Sequence, residues 1–166
     1  MKGIVLYVST YGSTRQYAQW ISEETGFPLI DLGKVKKPDL SGYDLVVIGG
    51  WINAMRLQNR GWIKNRWNEL EGKNVLVFST SVADPEKHRE EFLKNSFPEE
   101  IRRKIEFFPL PGRWDLDDRN SLHRGMTRFA SAIFRNDPLM TLPPDRAHEL
   151  FEKMVRATKG HLKGYR

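Results

Sequence analysis

The chain contains no cysteine among its 166 residues. Disulfides, thiolate metal sites and thiol chemistry are therefore excluded, so any redox activity requires a bound cofactor. The sequence also lacks a Walker phosphate loop, a Gly-x-Ser-x-Gly nucleophile motif and a Gly-x-Gly-x-x-Gly dinucleotide motif, which leaves a hydrolase or kinase without support. No metal-ligand spacing relates the four histidines, which are His88, His123, His148 and His161. We predict no metal site and assign no catalytic residue.

Long apolar runs are also absent. No stretch approaches the roughly 18 residues that suggest a membrane span. The N-terminus reads directly as a strand and does not show the pattern of a signal peptide. Together with the lack of cysteine, these features favour a cytoplasmic protein.

Positive charge prevails over negative charge, with a formal net charge of +6 and a pI of about 9.6. Such a surface attracts phosphate-rich or acidic partners, although an ordinary solvated basic surface explains it equally well. Lysine and arginine are spread along the whole chain and accompany no nucleic-acid motif. Nucleic acid is therefore not an expected partner.

Apolar runs alternate with amphipathic stretches along the chain. Continuous apolar runs such as Leu45–Ile48 indicate parallel strands that helices cover on both faces. The alternation predicts one α/β domain over residues 1–166, with a doubly wound five-stranded parallel sheet and helices on both faces. The predicted strands cover residues 4–8, 28–32, 45–48, 75–78 and 105–110. The predicted helices cover residues 14–24, 62–70 and 86–94, followed by a last helix that Pro144 opens and Gly160 ends.

The first predicted strand ends in a loop of hydroxyl side chains around one glycine. A helix begins directly after it, so free backbone N–H groups and the helix dipole favour a bound anion there. The hydroxyls add donors without burying charge, which suits a phosphate monoester held without a metal. An ordinary helix cap is the alternative interpretation. The loop residues are Ser9, Thr10, Tyr11, Gly12, Ser13 and Thr14.

Two further strands end in loops with ligand-binding chemistry. In a sheet of order 2-1-3-4-5 the first, third and fourth strands are neighbours, so their loops converge at one edge. Together they describe a slot for a planar aromatic ligand with a phosphate tail. Packing of Trp51 on the helix that carries Trp62, and a plain turn at Ser79–Ser81, are the structural alternatives. The candidate residues are Gly50, Trp51, Ile52 and Asn53 after the third strand, and Ser79, Thr80, Ser81 and Val82 after the fourth.

The loop Ser-Thr-Tyr-Gly-Ser-Thr resembles the flavodoxin phosphate loop, which runs Ser/Thr-x-Thr-Gly-x-Thr. Within that superfamily the chain is most similar to the flavodoxin-domain group that includes menaquinone-dependent protoporphyrinogen oxidase. The matching pieces are Ser-Thr-x-Gly-Ser-Thr-Arg after the first strand, Tyr-Asp-Leu-Val-Val-Ile-Gly-Gly-x-Ile at residues 43–52, and an extra segment before the last helix. The resemblance implies a flavodoxin-like fold and FMN as the cofactor of the three loops.

The resemblance also implies that the protein is an FMN-dependent oxidoreductase. Such an enzyme would pass electrons from an organic donor, such as a porphyrinogen, to a quinone-type acceptor. Two features depart from flavodoxins. Tyr11 stands where they usually carry a threonine, and the chain is basic whereas short electron-carrier flavodoxins are acidic. Two alternatives therefore stay open, an electron carrier without a substrate and a binding module that keeps the fold without FMN.

An extra helical segment is predicted at about residues 112–143. Within it, residues 119–135 combine an apolar stripe with several arginines. A basic amphipathic helix can lie on an anionic membrane surface, which would bring the protein to a dissolved quinone, or it can pack its stripe on the sheet domain. Packing is the favoured interpretation, and peripheral contact with the inner face of the membrane is the alternative.

Overall fold

A computed structural model of the protein describes residues 1–112 and 144–163. The predicted extra segment lies outside the described residues apart from Gly112, as does the predicted basic helix over residues 119–135.

The described residues form one sheet of six strands: β1 (Gly3–Tyr7), β2 (Leu29–Asp31), β3 (Leu45–Asn53), β4 (Arg56–Leu57), β5 (Asn74–Ser81) and β6 (Ile105–Pro111). Five strands are parallel and lie in the order β2-β1-β3-β5-β6, while β4 pairs antiparallel with the end of β3. The predicted flavodoxin-like order of the five parallel strands is confirmed.

The described helices are α1 (Ser13–Thr25), α2 (Arg60–Asn65), α3 (Trp67–Leu70), α4 (Arg89–Ser96), α5 (Glu99–Arg102) and α6 (Pro144–Lys163). Helix α1 ends at Gly26, whose φ of 73° and N–H bond to the Ser22 carbonyl form a left-handed cap. Within residues 1–112 and 144–163, no helix has the length and apolar character that a membrane crossing requires.

Helices cover both faces of the sheet. On one face Ile48 packs in a buried cluster with Phe92 of α4. On the other face Val47 packs in a second cluster with Ile21 of α1 and Met154 of α6. Because successive strand residues point to opposite faces, a strand covered on both sides is apolar at every position. This explains the continuous apolar runs of the sequence.

The strand β4 was not predicted. Strand β3 continues beyond its predicted end to Asn53, and β4 folds back against it through Ala54 and Met55, whose φ angles are 50° and 60°. A turn with two left-handed residues normally selects glycine or asparagine, so this sequence carries no signal for it. The Leu57 N–H donates to Ser96 Oγ at 2.9 Å, which fixes the hairpin to α4.

The predicted helix from Trp62 to Leu70 is two short helices that meet at Arg66. The Arg66 guanidinium lies 5.1 Å from the centre of the Trp62 ring and donates to the Pro38 carbonyl at 2.9 Å. These contacts hold the loop after β2 against α2.

Two other helix boundaries differ from prediction by three residues. Helix α4 begins at Arg89, three residues later than predicted, and the short α5 follows it. The predicted end of the last helix at Gly160 is wrong, because α6 continues to Lys163.

We expect Gly49→Ala to destabilise the fold. A Cβ at residue 49 would lie 2.2 Å from Cζ of Phe78, and Phe78 is fully buried, so its ring has no room to withdraw. Overpacking of this kind lowers the free energy of unfolding by about 1–3 kcal/mol, which urea denaturation measures. Gly61→Ala in α2 is the control, because a Cβ there meets open space. Equal losses in the two variants would contradict the packing at Gly49.

Candidate functional site

The loop between β1 and α1 brings hydroxyl side chains to the start of a helix. Gly12 immediately precedes α1 with a φ of 92°, and its N–H donates to Ser9 Oγ at 3.2 Å. Gly12 has no side chain to cap α1, and the first turn of the helix contains no acidic residue. The first N–H groups of a helix have no partners within the helix, and its dipole is positive at this end. The loop therefore has the geometry of an anion site.

Thr14 connects this loop to the two neighbouring strands. Its side chain is buried, with 2% of the residue exposed. Its Oγ1 lies 2.8 Å from Oγ1 of Thr80 and 3.4 Å from the carbonyl oxygen of Gly50. The start of α1 is thus joined by hydrogen bonds to the ends of β5 and β3.

The end of β3 places an aromatic side chain beside the loop. The rings of Tyr11 and Trp51 meet edge to face, with centres 5.6 Å apart and planes at 79°. Trp62 has other partners. Its ring packs against Arg66, and its Nε1–H donates to the Lys36 carbonyl at 2.8 Å. The structure therefore places Trp51 with the phosphate-loop candidate Tyr11 and not with α2.

The residues predicted after the fourth parallel strand lie within β5 or directly after it. Ser81 Oγ accepts from the Ala83 N–H at 3.0 Å and also lies 3.1 Å from the Ala83 carbonyl, so this hydroxyl organises the turn after the strand. Ser79 is fully buried, and its Oγ has no hydrogen-bond partner within the described part of the chain.

A cleft of about 330 Å³, part of it open to solvent, lies where these elements meet. Among residues 1–112 and 144–163, every side chain that lines it is uncharged. The lining residues are Tyr11, Ser13, Thr14, Trp51, Ile52, Thr80, Ser81, Val82 and Gly112.

The other predicted residues lie around the cleft without lining it. Ser9, Thr10 and Gly12 lie in the loop before α1, and Asn53 is exposed at the end of β3. A Cβ at residue 50 would lie 2.1 Å from Oδ1 of the buried Asn59, so the backbone of Gly50 lies close to that side chain. Gly50 thus allows a close approach to Asn59 within the core.

Gly112 lines the cleft but was not among the predicted residues. Its N–H donates to the Ser81 carbonyl at 2.7 Å, and a Cβ there would meet the Ser81 nitrogen at 3.2 Å. A glycine directly after the fifth parallel strand was the available signal, since that strand ends at the same edge of the sheet.

Tyr7 ends β1 just before the loop, and its hydroxyl donates to Oδ2 of Asp31 at 3.4 Å. Burial, followed by the Asp31 carboxylate, raises the pKa of the Tyr7 hydroxyl, while the Arg15 guanidinium opposes this shift. Arg15 is exposed in the first turn of α1. A positive charge therefore lies next to the hydroxyl loop, where it favours an anion.

The sequence model of the flavodoxin domain matches residues 4–138, which include every element of the cleft. This chain belongs to the flavodoxin domain family. The match confirms the family that the phosphate loop suggested, and it supports FMN as the cofactor of this flavodoxin domain.

Solved structures provide a second comparison. The flavodoxin, WrbA-like protein from Agrobacterium tumefaciens is 14% identical, with a TM-score of 0.50 over 81% of this chain and 98% of that one, and it shares the fold. Flavodoxin 2 from Bacillus cereus is 21% identical, with a TM-score of 0.49 over 82% and 99%. A flavoprotein from Lactobacillus acidophilus NCFM, solved in complex with FMN, is 16% identical, with a TM-score of 0.49 over 66% and 91%. No curated protein matches the sequence.

We expect Gly12→Ala to lower the free energy of unfolding by about 1–2 kcal/mol, because a left-handed backbone costs that much for a residue with a Cβ. The added methyl meets open space, so the cost comes from the backbone alone. Gly12→Asn is the matched control, since asparagine tolerates this conformation and should lose less stability. Urea denaturation of both variants is the measurement. Equal losses in the two variants would contradict a left-handed Gly12.

Proposed function

We propose that this flavodoxin-domain protein binds FMN in the cleft and exchanges electrons through it. One observation supports the proposal above the others. A hydroxyl-rich helix start without acidic residues opens onto an uncharged slot flanked by an aromatic pair. FMN combines a phosphate with a planar ring system, and the cleft offers a complementary surface to each part.

The phosphate would lie at the start of α1. Ser9 Oγ accepts the Gly12 N–H, so its own hydroxyl hydrogen can turn towards an anion, and Thr10 is exposed beside it. The first amides of α1 add donors, and the helix dipole favours negative charge there. Arg15 contributes a positive charge from the same turn. The loop residues from Ser9 to Thr14 form the phosphate end of the proposed site.

The ring would lie between Trp51 and the end of β5. Trp51 is half-buried, so part of its surface is available to a planar ligand. Ser81, Val82 and Gly112 form the other side of the slot. Offset and edge-to-face contacts are the arrangements that aromatic rings prefer, and the slot permits them. The residues of 50–53 and 79–82 form the ring end of the proposed site.

FMN supplies the redox chemistry when it is bound, whereas the protein positions it and tunes its electronics. The chain's own residues hold the phosphate, cover the ring and exclude water from it. Because no charged side chain in the described part of the chain lines the slot, its hydroxyl groups and backbone dipoles would set the local potential.

We expect the double substitution Ser9→Ala and Thr10→Ala to weaken FMN binding about a hundredfold or more. Each lost hydrogen bond to a charged phosphate contributes roughly 1.5–3 kcal/mol. Calorimetric titration measures the affinity. Riboflavin, which lacks the phosphate, is the matched control ligand and should bind parent and variant alike. A variant that retained full affinity for FMN would show that the phosphate binds elsewhere.

A more specific proposal concerns the substrates of the protein, and it rests on the sequence resemblance. We infer an organic donor, such as a porphyrinogen, and a quinone-type acceptor. The protein would then be a single-domain cytoplasmic oxidoreductase, with peripheral membrane contact through residues 119–135 as the alternative to packing of that segment on the sheet domain. Its net positive charge supports this role over that of an acidic electron carrier, because such carriers dock to positively charged partners.

Catalytic turnover distinguishes an oxidoreductase from a carrier. We expect the FMN-loaded protein to oxidise a porphyrinogen with a water-soluble naphthoquinone through many cycles under anaerobic conditions. Each cycle passes two electrons and two protons to the quinone, which leaves as the quinol. Porphyrin absorbance measures the rate, and free FMN at the same concentration is the control. Transfer limited to the amount of protein would indicate a carrier, and failure to bind FMN would indicate the binding module that Tyr11 suggests.

A further inference from the structure

The side chain of Thr14 is buried, unlike those of Ser9 and Thr10 in the same loop. Thr14 is the last residue of the motif that resembles a phosphate loop, yet only 2% of its surface is exposed. Thr10 is exposed and Ser9 is half-buried in the same loop. The three hydroxyls therefore occupy different environments, although the sequence presents them as equivalent donors.

The hydroxyl of Thr14 has two possible hydrogen-bond partners inside the protein. A threonine hydroxyl has one hydrogen to donate. Oγ1 of Thr14 lies 2.8 Å from Oγ1 of Thr80 and 3.4 Å from the Gly50 carbonyl oxygen. If Thr80 donates to Thr14, the Thr14 hydrogen can go to Gly50, and if Thr14 donates to Thr80, the hydrogen is used there. Either arrangement joins Thr14 to Thr80 by a hydrogen bond.

Thr80 is enclosed to a similar degree, with 4% of its surface exposed. It lies in β5 on the ring side of the cleft, opposite Trp51 of β3 in the register of the sheet. A hydrogen bond between two buried hydroxyls is costly to break, because each group loses its partner away from water. The pair therefore joins the phosphate end of the cleft to the ring end.

We propose that Thr14 and Thr80 are a pair of positioning residues that fix the phosphate loop relative to the ring slot. This inference rests on the proposed FMN site and adds a role that is distinct from ligand contact. Thr80 belongs to the ring end of the cleft by its place in β5. Its hydroxyl nevertheless acts on the phosphate end, through Thr14 and the start of α1.

Substitution of Thr80 should change the affinity for FMN relative to that for riboflavin. Thr80→Val removes the hydroxyl and should lower the affinity for FMN about threefold to tenfold, as expected for one lost buried hydrogen bond. The affinity for riboflavin should fall by less than that for FMN, because riboflavin has no phosphate for the loop to hold. Thr80→Ser, which keeps the hydroxyl, is the matched control and should retain the FMN-to-riboflavin ratio of the parent.

Calorimetric titration of the three proteins with both ligands is the first measurement. A selective loss of FMN affinity in Thr80→Val supports the positioning role. An equal loss for both ligands would overturn it in favour of direct contact between Thr80 and the ring. No loss for either ligand would overturn it as well, because the pair would then be only part of the core.

Amide hydrogen exchange of the ligand-free protein is the second measurement, and it does not depend on FMN binding. Thr80→Val should speed exchange at the amides of residues 10–15, whereas Thr80→Ser should not. Thr14→Val provides an independent variant with the same expected effect, and the double variant should add little to either single one. Unchanged exchange in both valine variants would overturn the proposal. If the parent bound no FMN, the proposed function would fail while the exchange data still decided whether the pair positions the loop.

Discussion

The cleft depends on the different lengths of neighbouring parallel strands. Strand β1 ends at Tyr7, which is paired with Gly49, whereas β3 continues to Asn53 and β5 to Ser81. The chain leaves β1 beside these longer strands, so the first turn of α1 begins against their protruding ends. This arrangement brings a helix N-terminus, an aromatic side chain and a buried pair of hydroxyls to one edge of the sheet. Every element of the proposed FMN site lies at that edge of the sheet.

Close packing beneath the edge keeps these strands in register. Gly49 leaves room for the Phe78 ring on one face, and Gly50 leaves room for Asn59 and Leu57 on the other. Two adjacent glycines thus let β3 lie between two crowded layers without displacing either. Gly50 was predicted as a candidate binding residue, and the structure adds that both glycines allow the approach of core side chains.

Local patterns predicted the parallel strands and the hydroxyl loop, because apolar runs, alternation and turn chemistry depend on neighbouring residues. The strand order was an expectation for a doubly wound sheet. Features that depend on tertiary packing cannot be predicted from neighbouring residues. Ala54 and Met55 carry no turn signal, so β4 was missed, and nothing in the motif shows that Thr14 is buried beside Thr80. The partner of Trp51 is likewise a tertiary property, since Tyr11 lies 40 positions away in the chain.

Amide NMR spectra recorded with and without FMN test the central claim most directly. The account predicts that one equivalent of FMN shifts the amide signals of residues 9–15, 50–53, 79–82 and Gly112, together with the indole N–H of Trp51. Riboflavin should shift the ring-side signals and leave those of residues 9–15 almost unchanged. Signals that move mainly at other elements of the sheet domain, or that do not move at all, would contradict an FMN site at this edge.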